Sequence, residues 1–211
     1  MRAARLSALR VLVLSSALFA ALALDVALGG PMSSFDRAAS DWFRVHAGEH
    51  LLRAMGTVSA LHAPRAILAA TVVLVALLLW RRDGRGALLV LAAVPGGAAL
   101  NWVLKQAFGR PRPDAGGGAL AGGDFAFPSG HAVNATLLYG SLALLALRHA
   151  NAGAPRSVVV VAAAMLVALV GFSRVALRAH YPADVLAGIA VGVAWLALCT
   201  LAMDGGERRE V

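Results

Sequence analysis

The sequence predicts an all-α polytopic membrane protein, with six transmembrane helices and an interfacial helix between the first two. Three observations carry that expectation. Hydrophobic residues fill 60% of the 211 positions and charged residues only 14%, where a soluble domain carries roughly 25% charged residues. The apolar residues gather into runs approaching the about 20 residues that cross a bilayer. Between the runs lie short polar stretches rich in Gly, Pro and Arg. A single membrane-embedded domain over residues 1–211 accounts for the pattern.

The elements follow in order. Residues 11–28 are apolar apart from Asp25 and follow Arg2, Arg5 and Arg10. A basic start, an apolar centre and small residues such as Ala21-Leu22-Ala23 also describe a cleavable signal peptide. The length of the run favours an uncleaved first helix. Gly29-Gly30-Pro31 ends it. Residues 33–62 mix Trp42, Phe43, Leu51 and Leu52 with Asp36, Arg37, Asp41, Arg44 and Glu49, the composition of an amphipathic helix in the interface. His46 and His50 share a face at i, i+4, but no third metal ligand accompanies them. Residues 63–80 form the second span, closed by Arg81-Arg82-Asp83-Gly84-Arg85, and residues 86–104 the third. The stretch 105–127 is too polar and irregular to cross lipid. Residues 131–147, 157–172 and 182–203 complete the six, with a loop at 148–156 and a polar tail from Asp204.

The formal net charge is +8, yet the arginines are scattered between apolar runs and make no basic stripe. They orient the chain in a membrane and do not mark a nucleic-acid face. Cys199 is the only cysteine, which excludes an internal disulfide and a thiolate metal cluster.

Six crossings place both termini on one side and the stretches 105–130 and 173–181 on the other. Lys and Arg divide ten to nine between the two faces, but five of the nine, Lys105, Arg110, Arg112, Arg174 and Arg178, belong to polar clusters with a chemistry of their own. Setting these aside leaves the terminal side the more basic. The expected arrangement is a cell (cytoplasmic, or inner) membrane protein with cytoplasmic termini and the polar clusters on the outer face.

Those clusters are three. Lys105 and Arg112 lie in a proline-stiffened loop, where a guanidinium fork and an ammonium suit phosphate oxygens. Alone, they would merely anchor a helix by snorkelling. Ser129 and Gly130 open an apolar helix, where unpaired N–H groups, the helix dipole and the Ser hydroxyl favour an anion; alone, the pair reads equally as an ordinary N-cap. His131 follows at once. In the third cluster Pro182 starts another helix, with His180 just before it and Asp184 within it. Asp184 is placed to accept from His180 and make its other ring nitrogen more nucleophilic. An Asp at a helix start otherwise only balances the dipole.

Together these clusters resemble the type-2 phosphatidic-acid phosphatase and vanadium haloperoxidase superfamily, in its bacterial membrane lipid phosphatase branch that includes undecaprenyl pyrophosphate phosphatases. The family pattern is Lys-x6-Arg-Pro, Pro-Ser-Gly-His and Ser-Arg-x5-His-x3-Asp. It is matched in order by Lys105 with Arg112-Pro113, by Pro128-Ser129-Gly130-His131, and by Ser173-Arg174 with His180 and Asp184, a motif core over residues 105–184.

The resemblance implies hydrolysis of a phosphomonoester or pyrophosphate without metal or other cofactor. It assigns His180 as nucleophile, Asp184 as its orienting partner and His131 as general acid. Lys105, Arg112, Ser129, Gly130 and Arg174 would hold phosphate oxygens. The implied substrates are membrane lipids: a polyprenyl pyrophosphate such as undecaprenyl pyrophosphate, a cell-wall carrier, or phosphatidylglycerol phosphate or phosphatidic acid. A phosphotransferase of the same fold would pass the phosphoryl group to another hydroxyl. A transporter would carry charges inside its spans, and these spans are nearly free of them, Asp25 apart. Arg110 and Arg178 match no motif position, and are expected to attract anionic headgroups or to be solvated.

Overall fold

The structure is a computed structural model that describes residues 2–113, 125–149 and 156–206. Among the described residues eight helices follow one another: α1 (Arg2–Leu28), α2 (Pro31–His46), α3 (Glu49–Leu61), α4 (Pro64–Trp80), α5 (Gly84–Phe108), α6 (Gly130–His149), α7 (Arg156–Ala176) and α8 (Pro182–Gly206). Five of them, α1, α5, α6, α7 and α8, are long and apolar enough to cross a membrane. A sixth candidate span is the pair of α3 and α4, bent by 44° where they meet and long and apolar enough together. The expected interfacial segment is therefore two helices, parted at Ala47 and Gly48, and its second half continues into a span.

α8 is central, with α1 along one side and α5, α6 and α7 around it. Its approach to α6 rests on Gly188 and Gly192, four residues apart on one face. A Cβ at Gly188 would lie 2.7 Å from the Ser129 carbonyl oxygen, and one at Gly192 would lie 2.7 Å from the Thr136 Cβ. Small residues let backbones come close in lipid, where helix association depends on van der Waals fit because apolar burial gains little there. Leu89, Val90 and Ala93 of α5, Val133 and Leu137 of α6, and Val191 of α8 form the main core. The outward residues are apolar too: Val13, Leu14, Val72, Val73, Val161 and Met165 are all exposed, as a lipid-facing surface requires.

The polar residues at helix ends have local explanations. Asp25, the one acidic residue in the first apolar run, accepts hydrogen bonds from the Met32 and Ser33 N–H groups at 3.3 and 3.2 Å, so it caps the start of α2. Asp83 caps α5 through the Gly86 N–H at 2.8 Å. Pro95 breaks the α5 hydrogen-bond ladder, and beside it Trp195 Nε1 donates to the Ala92 carbonyl at 3.1 Å.

In α2 the usual amphipathic arrangement is turned around. Phe35, Trp42 and Val45 are exposed, whereas Ser33 and Asp36 are buried. Its apolar face suits lipid and its polar face points into the bundle. That inward face belongs to the site.

Candidate functional site

Three segments meet at the end of the bundle that also carries α2 and α3. The first is the α5 C-terminus, where Gly109 at φ 58° ends the helix in the left-handed conformation and turns the chain into Arg110-Pro111-Arg112-Pro113. The second is the start of α6. The third is the turn from α7 into α8. The Ser129 N–H donates to the Asp184 carbonyl at 2.9 Å, which ties the second segment to the third. A Cβ at Gly130 would lie 3.1 Å from Asn101 Nδ2 and 3.9 Å from Lys105 Cε, so the first segment lies directly against the second.

All the residues expected from the sequence fall in this place. Ser129 and Asp184 are fully buried, His180 is 2% exposed and Arg174 9% exposed. Lys105 and Arg112 are half-buried, and the Lys105 ammonium donates to the Phe125 carbonyl. The His131 ring, also half-buried, has the Ser59 backbone carbonyl as a hydrogen-bond partner and feels the charges of Arg174, His180 and Arg112. The buried Ser129 hydroxyl has no hydrogen-bond partner among the described residues, consistent with an acceptor supplied from outside the protein.

The α7–α8 turn is a Schellman arrangement. The Ala179 N–H reaches the Arg174 carbonyl and the Arg178 N–H the Val175 carbonyl, with Arg178 at φ 54° where glycine is usual. The backbone is strained there, and His180 follows two residues later. Its Nδ1 stands 3.6 Å from Asp184 Oδ2, beyond hydrogen-bond length. Burial pushes the imidazole down from the ordinary 6.5 to about 4, while Asp184 works the other way and Lys105 and Arg112 add to the lowering.

Three residues that match no motif position hold this site together. Arg110, expected to face headgroups or solvent, instead bridges two buried carboxylates: NH1 to Asp184 Oδ1 at 2.6 Å and NH2 to Asp36 Oδ2 at 2.7 Å. It lies over the Tyr181 ring, 4.4 Å from its centroid. Burial works to lower the Arg110 pKa, yet Asp184 and Asp36 outweigh it and hold it above its ordinary value. Asp36 also accepts from the Ala183 N–H at 2.9 Å. The Asp36 carboxylate thus takes one of the N–H groups that the start of α8 leaves without a partner inside the helix. Ser59, buried in α3, accepts a hydrogen bond from the Arg174 guanidinium. The signal for Asp36 in the sequence is weak: a carboxylate on the same helical face as Ser33, in a segment otherwise suited to an interface.

His46 and His50, the pair at i, i+4, lie exposed at the end of α2 and the start of α3. His46 stacks on Trp42 and its Nδ1 bonds the Trp42 carbonyl at 2.9 Å. His62 bridges the Val58 carbonyl and the Tyr139 hydroxyl at 2.7 and 2.5 Å, pinning the α3–α4 bend to α6. Among the described residues no three His, Cys, Asp or Glu side chains are grouped as a metal site would need.

Helices long and apolar enough to cross a membrane, packed around one buried, cationic, histidine-bearing cluster, define a multi-pass integral membrane protein. Residues 85–207, more than half of the chain, match the model of the PAP2 superfamily, and the protein belongs to that superfamily. Phosphatidylglycerophosphatase B of Bacillus subtilis (strain 168) is 37% identical over 95 residues, which cover 44% of this chain and 46% of that protein. A lipid A 1-phosphatase of Rhizobium johnstonii is 36% identical over 124 residues, covering 54% of this chain and 46% of the relative. The matches thus span a little under half the length of these relatives. The crystal structure of a transmembrane PAP2 type phosphatidylglycerolphosphate phosphatase from Bacillus subtilis is similar with a TM-score of 0.78 at 29% identity, over 92% of this chain and 96% of that one.

Proposed function

We propose that this protein is a membrane lipid phosphatase that removes a terminal phosphate from a lipid phosphate or pyrophosphate through a phosphohistidine. The observation that carries this reading is the convergence of His180 and His131 with Lys105, Arg112 and Arg174 at one end of the bundle. His180 is the nucleophile. Its Nδ1 faces Asp184, which leaves Nε2 for attack on phosphorus. The P–O bond to the lipid breaks as the N–P bond forms, and His131 gives its proton to the departing oxygen. Water then hydrolyses the phosphohistidine, releasing phosphate and the free imidazole. Lys105, Arg112, Arg174, Ser129 and the backbone at Gly130 hold the phosphoryl oxygens as charge develops. The long His180–Asp184 separation fits this role, since such contacts are often loose without substrate and tighten with it.

The relatives act on lipid phosphates by name, and the similar solved structure supports phosphatidylglycerol phosphate as the first substrate to try. Phosphatidic acid and undecaprenyl pyrophosphate complete the panel. Arginine placement supports cytoplasmic termini and an outward site in the cytoplasmic membrane. The deciding experiment is phosphate release from the three lipids by purified protein, with and without EDTA. Release from at least one lipid, unaffected by chelator, is expected, because lysine and arginine supply the positive charge. No release from any of them, with transfer to an added lipid or sugar hydroxyl instead, would make the protein a phosphotransferase.

A further inference from the structure

We propose that Asp36 is a positioning residue for the His180–Asp184 pair and acts through Arg110; this rests on His180 being the nucleophile. Asp36 is fully buried, on the polar face that α2 turns into the bundle. It contributes to the start of α8 twice. One oxygen takes the Ala183 N–H, holding the backbone next to Asp184, and the other takes the guanidinium that Asp184 also binds. The Asp184 carboxylate is thereby held at both oxygens, by Arg110 and by the Tyr181 N–H at 2.8 Å.

Charge gives Asp36 its second effect. Burial raises the Asp36 pKa, and the Ala183 N–H and Arg110 oppose that rise; with both carboxylates ionised, the cluster carries one net negative charge beside His180. The other groups acting on His180 from neighbouring elements are Lys105 and Arg112 from α5 and its following loop and His131 from α6; Arg174 of α7, whose carbonyl accepts the His180 N–H, adds another cation. None is an anion. When His180 attacks phosphorus, its ring becomes positive, and Asp184 is the counter-charge. Without Asp36, Arg110 would neutralise Asp184, and the imidazolium would form beside Lys105 and Arg112 with no net counter-charge from this cluster.

The test uses full-length protein in detergent, with terminally ³²P-labelled phosphatidylglycerol phosphate, phosphatidic acid and undecaprenyl pyrophosphate. Asp36→Asn keeps the shape and the Ala183 contact but removes the charge. It should slow phosphoenzyme formation by about tenfold or more, with KM changed less than kcat. It should also move the acid limb of the kcat/KM profile to lower pH, because loss of a nearby negative charge makes His180 harder to protonate. Arg110→Lys, which cannot bridge both carboxylates with one planar fork, should slow the same step, and adding Asp36→Asn to it should cost little more. An unchanged rate and pH profile in folded Asp36→Asn, with only a lower melting temperature, would overturn the proposal. If that variant does not fold, an unchanged rate in Arg110→Lys would overturn it equally. A wild-type protein forming no phosphoenzyme from any of the three lipids would instead reject the nucleophile assignment, and this proposal with it.

Discussion

The His180 imidazole and the Asp184 carboxylate face each other at 3.6 Å, both almost wholly buried, while Asp184 keeps its nearer contacts for Arg110 and the Tyr181 N–H. A carboxylate held this way does not need to move to meet an imidazolium; a small rotation of the histidine ring suffices. Asp184→Asn keeps the shape and loses the charge. Phosphoenzyme formation should then fall by roughly a hundredfold or more, with KM nearly unchanged. Quench-flow with labelled lipid measures it, and a loss confined to KM would contradict an orienting role.

Burial of His180 also predicts a pH-dependent stability. Its pKa in the folded protein is lowered from 6.5 to about 4, so between those values the unfolded chain binds a proton that the folded protein does not. Stability from this group is therefore complete above about pH 6.5 and is lost as pH falls toward 4. The melting temperature in detergent should drop across that window, and His180→Gln should flatten the drop. Parallel curves for the two proteins would show that another group dominates.

Ser59 separates two effects through one residue. Its hydroxyl accepts from Arg174, whereas its backbone carbonyl faces His131. Ser59→Ala removes only the first contact, leaving a buried guanidinium donor short of one partner, a loss of about 1–3 kcal/mol. Steady-state kinetics should show KM for a lipid phosphate raised several-fold with a smaller change in kcat. A kcat defect at constant KM would assign Ser59 to His131 instead.

His131 should matter most for the worst leaving group. An alkoxide leaving a phosphomonoester is strongly basic and needs a proton, whereas a lipid monophosphate leaving a pyrophosphate needs it less. His131→Ala should therefore slow phosphoenzyme formation more with phosphatidic acid than with undecaprenyl pyrophosphate. His180→Ala should trap no phosphoenzyme from either. Equal losses on both lipids in the first variant would argue against His131 as the leaving-group acid.

Topology is open to chemical labelling. Glu49 is highly exposed at the start of α3, on the site end of the bundle, and Arg82 lies in the turn before α5 at the opposite end. With Cys199 buried, Glu49→Cys should react with an impermeant thiol reagent in intact cells and Arg82→Cys only after lysis. The reverse pattern would invert the proposed orientation.

The sequence by itself determined the helical membrane class and the positions that meet at the site, because both are written in local patterns. Apolar runs match bilayer thickness, and Ser129, Gly130 and Pro182 mark helix starts whether or not the helices pack. Tertiary structure alone decided what surrounds those positions. Arg110 and Asp184 are 74 positions apart, as are Arg110 and Asp36, and no periodicity relates a carboxylate on an interfacial helix to an arginine in a distant loop. The division of residues 33–62 into α2 and α3 was likewise hidden, since one amphipathic composition serves either a single interfacial helix or two helices with an inward polar face. Asp36 reads as a solvated charge in the sequence because its burial depends on α2 lying against α7 and α8. Only that packing removes it from water, and a buried carboxylate must then find a cation and an N–H to remain charged.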